Sequence, residues 1–121
     1  MVFMSTLFGL SGCKKNEDVT SLPVKISFFD IRPQRINENE TAWITIAVTN
    51  LSGETALVTS LPDKGTTSPH ITSTTGNPVY IEYIPPNVEE DGTIEVIITV
   101  MAADIYGKEL DRAEGKIQVE D

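Results

Sequence analysis

Ile94-Glu95-Val96-Ile97-Ile98-Thr99-Val100-Met101-Ala102 sets Ile94, Val96, Ile98, Val100 and Ala102 in a single row two residues apart, the longest such row in the chain. Successive side chains of a strand point to opposite faces, so an apolar row of period two marks a strand buried on one side. A helix needs apolar positions three and four apart, and no window after Pro23 offers them together with the usual caps. The same period recurs on both sides of this stretch. Ala42, Ile44, Ile46 and Val48 alternate with Trp43, Thr45, Ala47 and Thr49, while Ala113, Gly115, Ile117 and Val119 alternate with Glu114, Lys116, Gln118 and Glu120. Val24, Ile26 and Phe28 alternate with Lys25 and Ser27, and shorter strands are expected at Thr55 to Leu61 and Val79 to Ile84.

Turn chemistry fills the gaps. Asn50-Leu51-Ser52-Gly53, Pro62-Asp63-Lys64-Gly65, Thr75-Gly76-Asn77-Pro78, Asp91-Gly92 and Asp104-Ile105-Tyr106-Gly107 put Asn, Asp or Gly where tight turns need them. Strands joined by loops rather than helices pair antiparallel, and two such sheets packed face to face suit a domain of this size. The expected fold is an all-β antiparallel sandwich of about seven strands. Phe28-Phe29-Asp30-Ile31 breaks the alternation, which predicts a bulge there or a strand that changes sheets.

From Gly76 to Val119 the chain resembles the second half of bacterial immunoglobulin-like (Ig-like/PKD-like) domains. The residues that carry the likeness are Asn77-Pro78-Val79-Tyr80-Ile81-Glu82-Tyr83-Ile84-Pro85-Pro86, the Asp91-Gly92 turn, and the long strand running into Ala103-Asp104-Ile105-Tyr106-Gly107. The resemblance implies an immunoglobulin-like sandwich used as a surface or secreted module. The paired cysteines of antibody-type domains are absent, and Trp43, the only tryptophan, lies on the second predicted strand rather than the third.

The one cysteine, Cys13, closes Leu10-Ser11-Gly12-Cys13 after the apolar run Val2 to Leu10. These four residues resemble the lipobox of bacterial lipoproteins, in which the cysteine becomes the first mature residue and carries lipid. The run is too short to span a bilayer as a helix, and small residues before the cleavage point are what a signal peptidase accommodates. No Lys or Arg precedes it, so a start upstream of Met1 or a weak signal is expected. The resulting division is a signal peptide at 1–12, a lipidated cysteine and tether at 13–22, and the sandwich at 23–121. Lys14 to Asp18 looks like the charged residues that influence outer-membrane sorting and surface display in some lipoproteins; an ordinary solvated tether reads equally well. Location at the bacterial envelope, in the outer membrane, follows as an expectation.

The sequence has 121 residues with a formal net charge of −9 and a pI near 4.5, which disfavours nucleic acid and anionic headgroups as partners. With Cys13 committed to lipid no disulfide is possible, so packing and strand pairing must hold the domain. Catalysis finds little footing. His70 is the only histidine, in the Thr/Ser/Pro-rich segment Thr66 to Thr75, so no catalytic relay or multi-histidine metal site can be assembled, and no enzyme activity, cofactor or metal is expected. Glu89-Glu90-Asp91, Asp104, Asp111 and Asp30 match no calcium-loop spacing; Asp91 and Asp104 read more simply as turn residues closing on backbone amides.

The reading that remains is a non-catalytic binding, spacer or adhesion module, its partners the membrane through Cys13 and envelope proteins or glycans. Glycan binding by an accessory lipoprotein of polysaccharide uptake is the alternative. Its platform would be Trp43, out of phase with Ile44, Ile46 and Val48 and hence outward, near Tyr80 or Tyr106. Cover by a neighbouring strand or by the tether is the competing expectation for Trp43. A contiguous exposed aromatic patch favours glycan; an isolated or buried Trp43 favours the interaction module. Tyr83 is expected in the core and Tyr106 at a hairpin tip.

Overall fold

In a computed structural model of the chain, residues 23–121 are described, and they form nine strands in two sheets. In chain order these are β1 (Lys25–Arg32), β2 (Arg35–Asn37), β3 (Ala42–Thr49), β4 (Ala56–Pro62), β5 (Thr66–Ser68), β6 (Ile71–Thr74), β7 (Val79–Ile84), β8 (Thr93–Ala103) and β9 (Glu109–Glu120). One sheet runs β1-β3-β7-β5 and the other β2-β9-β8-β4-β6. The sandwich is therefore as expected, with more strands than the long apolar rows reveal. β2 and β5 have three residues each and β6 has four, too few to show a period, and β5 and β6 lie within the segment around His70 that reads as loop. Every ladder is antiparallel except β2 on β9.

The predicted rows meet in the middle. Ala42, Ile44 and Ile46 of β3 face Val96, Ile98 and Val100 of β8, with Val58, Ile81, Ile117 and Val119, and all of these are buried. Fully burying a side chain of this kind contributes on the order of 1.5–3 kcal/mol, which is how a domain without a disulfide is held. Tyr83 is buried as expected, and its hydroxyl donates to the Lys64 carbonyl at 2.9 Å. That bond requires Gly65: its φ is +82°, and a Cβ there would stand 2.7 Å from the Tyr83 hydroxyl and 2.6 Å from the Ile84 carbonyl oxygen. Gly115, halfway along β9, is the second close approach. Phe29 and Ile31 from the other sheet land on it, 2.9 to 3.1 Å from where a Cβ would be.

The broken alternation at Phe28 has two structural consequences. The β1–β3 register slips between Ile26 and Phe28, so Ser27 is an extra residue; Ile26 pairs with inward Val48, but Phe28 pairs with outward Ala47. Phe28, which simple alternation from Val24 and Ile26 directs inward, is thereby turned out and is half exposed, while Phe29 and Ile31 take the inward positions. After Arg32 the chain then crosses to the second sheet and pairs as β2 along β9, so the expected bulge and the expected change of sheet both occur.

Candidate functional site

The outer face of the four-stranded sheet is read directly from its ladders. On β3, Trp43, Thr45 and Ala47 point away from the core. Arg32 and Glu82 flank Trp43 on the neighbouring strands, and Asp30 and Tyr80 flank Thr45. Trp43 and Tyr80 are thus diagonal cross-strand neighbours, a separation of about 7–8 Å that aromatic side chains can bridge. Trp43 is 51% exposed and Tyr80 61%. Phe28 and Ile84 extend the exposed apolar surface along the edges of the same face. Polar groups border the rings: Arg32 Nε donates to Asp30 Oδ2 at 2.5 Å, and an open hollow lined by Asp30 to Gln34 lies where β1 gives way to β2. Flat exposed rings edged by charged hydrogen-bonding groups can stack on an apolar ligand surface and orient it by polar contacts.

Tyr106 does not join this face. It occupies the tip of the β8–β9 hairpin, 88% exposed, and shares a hollow with Gly53, Glu54 and Thr55 of the β3–β4 loop. That loop follows Thr49, six residues along β3 from Trp43, or about 20 Å. Of the three aromatic candidates, the fold brings together Trp43 and Tyr80 and leaves Tyr106 at the opposite end. Phe28 and Ile84 escaped the sequence reading for different reasons. Phe28 lies just past a bulge, and Ile84 sits beside Pro85-Pro86 with no alternating partner beyond it.

Three of the carboxylates considered as calcium ligands, Asp104, Asp111 and Asp30, have other occupations. At Asp91 it is the backbone N–H that is engaged, donating to Asp121 Oδ2 at 2.8 Å, rather than its carboxylate closing on an amide as expected. Asp104 Oδ1 accepts the Tyr106 and Lys108 amides, each at 2.9 Å, and so closes its turn as expected. Asp111 accepts the Ile26 amide at 2.8 Å and its neighbour Arg112's amide at 2.8 Å, which together hold its carboxyl below the usual range. Asp30 is engaged by Arg32. Among the described residues no three acidic, histidine or cysteine side chains are placed so that they could hold a metal ion. His70 is exposed between β5 and β6, where its carbonyl accepts the Ser60 amide. Burial, with Asp63 nearby, pushes the Tyr83 hydroxyl up to about 12. Cys13, the signal peptide and the tether lie outside the described residues.

No protein-family model matches this sequence, and no curated protein matches it. Solved structures do resemble the fold. The D00-D0 domain of intimin superposes with a TM-score of 0.59 at 13% identity, covering 92% of this chain and 54% of that one. The YadV chaperone gives 0.52 at 16% identity, covering 75% and 49%. The alkylpurine DNA glycosylase AlkC of Pseudomonas fluorescens, bound to DNA containing an abasic site analog, gives 0.51 at 14% identity, covering 82% and 31%. This chain spans about half the length of the first two. An intimin domain, a chaperone and a DNA glycosylase on one architecture show that the likeness concerns the immunoglobulin-like sandwich alone.

Proposed function

We propose that this chain is a lipid-anchored, non-catalytic binding module of the bacterial envelope, working as an adhesion or spacer domain through the outer face of its four-stranded sheet. The observation that carries the reading is the breadth of the face: Trp43, Tyr80, Phe28 and Ile84 are exposed across β1, β3 and β7, with Arg32 and Glu82 flanking Trp43, a spread wider than a two-ring sugar platform. Trp, Tyr and Arg are the residues most often found to dominate binding energy at protein interfaces. Attachment through lipid on Cys13, in the outer membrane, rests on the Leu10-Ser11-Gly12-Cys13 motif. Two measurements test the proposal. In detergent phase partitioning the wild type enters the detergent phase with a lipid-sized mass increase, and Cys13→Ala stays aqueous; both aqueous with Met1 retained removes the anchor. A photo-cross-linker at position 43 then yields discrete envelope adducts that one at position 116, on the opposite sheet, does not. Equal adducts from both positions reject the face.

Glycan is the second reading, favoured by the diagonal placement of the two exposed rings on adjacent strands, which offers a stacking platform edged by Asp30, Arg32 and Glu82. Affinity electrophoresis through gels containing defined polysaccharides separates the two. Retardation that Trp43→Ala and Tyr80→Ala each abolish assigns a sugar ligand, and unretarded wild type leaves the protein-partner reading.

A further inference from the structure

The two ends of the sandwich differ in charge and in what the chain brings to them. At one end the β2–β3 turn, the β7–β8 loop and residue 121 gather Glu38, Glu40, Glu89, Glu90, Asp91 and Asp121, tied together where Val88 N–H donates to Glu38 and Asp91 N–H donates to Asp121. At the other end stands the β8–β9 hairpin, whose tip exposes Ile105 (60%) and Tyr106 (88%) between Asp104 and Lys108, with Glu54 on the neighbouring loop, fewer acidic groups than the first end carries. We propose that this tip seats in the headgroup region of a phospholipid membrane, so that the domain stands on its hairpin end with the acidic end outward.

Three observations carry the inference. First, the tip is already closed on itself. Asp104 Oδ1 takes the Tyr106 and Lys108 amides, Gly107 N–H donates to the Asp104 carbonyl at 3.0 Å, and Asp104 N–H donates to the Lys108 carbonyl at 2.9 Å. Four of the five amides from Asp104 to Lys108 are thus satisfied internally, which lowers the cost of entering a water-poor layer relative to an open loop. Second, the exposed pair suits that layer: isoleucine gains from leaving water, and tyrosine keeps its ring among apolar groups and its hydroxyl among polar ones. Third, the chain enters the domain at this end. Asn50 Nδ2 donates to the Pro23 carbonyl at 2.8 Å, and the same β3–β4 loop shares its hollow with Ile105 and Tyr106. The ten residues 13–22 span at most about 35 Å even fully extended, so lipid on Cys13 keeps this end within that distance of the bilayer and lets the opposite end stand farther off. The acidic end is meanwhile repelled by anionic headgroups, which favours the same orientation. The inference thus rests on the anchor reading for proximity.

Its test does not depend on whether a host adds the lipid. The chain from Cys13 onward contains every described residue, and its single thiol can be coupled to a maleimide phospholipid in phosphatidylethanolamine and phosphatidylglycerol vesicles with brominated acyl chains. In a Trp43→Phe background a lone indole is introduced by Tyr106→Trp or, at the far end, by Glu89→Trp; both sites are exposed, and circular dichroism checks that each variant folds. The expected result is several-fold stronger quenching at 106 than at 89, reduced to the level of 89 by adding Ile105→Asp. Equal quenching at the two sites, or none at 106, overturns the proposal. Intact mass of host-expressed protein judges the anchor separately: strong quenching at 106 without host lipid keeps the tip assignment and discards the anchor, whereas lipid without quenching does the reverse.

Discussion

The two outer faces of this sandwich are built on the same alternation and carry different chemistry. On the five-stranded sheet ion pairs run along β9 and its neighbours: Lys116 pairs with Glu95 at 3.9 Å, Arg112 with Glu109 at 2.6 Å, and Arg35 of β2 reaches Glu120 at 3.2 Å and Gln118 at 2.6 Å, while Ile97, Thr99 and Met101 hold other outward positions of β8. Exposed pairs of this kind add little stability, but they keep a sheet face wet and discourage docking. Leu61 and Ile71, at its β4 and β6 margin, and Leu110, at the start of β9, are its exposed large apolar residues. The four-stranded sheet instead shows Trp43, Tyr80, Phe28 and Ile84 around one ion pair. The proposed binding face rests on this asymmetry: its exposed apolar residues include two aromatic rings at outward positions of adjacent strands, whereas the other face is crossed by ion pairs.

Substitutions sharpen or break that contrast. The largest effects should ignore it: Ile44→Ala behind the aromatic face and Ile98→Ala behind the charged one each cost about 2–5 kcal/mol in urea unfolding, because both empty the shared core. A cost for only one of them would mean that the sheets do not share a core. Next, Gly115→Val should cost about 1–3 kcal/mol by forcing Phe29 and Ile31 off β9. Tyr83→Phe should lose about 1 kcal/mol near neutral pH with the bond to the Lys64 carbonyl. Because the folded Tyr83 hydroxyl ionises only near 12, the stability it confers is intact below the ordinary tyrosine value of about 10 and declines as pH rises from there through about 12. The Phe variant should show a shallower alkaline loss in the same titration.

At the small end, Trp43→Ala and Lys116→Ala should each shift stability by no more than about 0.5–1 kcal/mol, since both side chains stand outside the core. Only the first should weaken binding, by about 2 kcal/mol or more if Trp43 is the anchor of the face. Equal binding by both variants would erase the distinction between the faces. Asp111→Asn touches neither face and should lower stability near neutral pH but not in acid. The lowered Asp111 pKa means that its stabilisation is present above about pH 4 and fades as pH falls further, so wild type and variant should converge in acid unfolding.

How much could be read beforehand follows from what each signal needs. Rows of four or five apolar residues announced β3, β8 and β9, and placed Tyr83 inward, because burial of one strand face writes itself into the sequence at every second position. Asp104 was legible as a turn residue because an aspartate two residues ahead of an amide closes on it locally. Phe28 was not, because a bulge of one residue reverses every assignment after it. Of the candidate face, Trp43 was individually legible as outward. Its company was not: that Tyr80 lies beside it and Tyr106 at the far end depends on which strands pair and in what register.

The sequence by itself determined the layer architecture, the inward rows, the turns, the acidity and the Leu10 to Cys13 motif, since each rests on neighbours along the chain. Tertiary structure alone decided which outward residues become one surface, which carboxylates are occupied by amides, and that Pro23 and the hairpin tip share an end. Those relations join residues tens of positions apart, as when Asp111 caps the amide of Ile26. They exist only once the ladders have formed, because alternation specifies the face a side chain takes but not the neighbour it meets there.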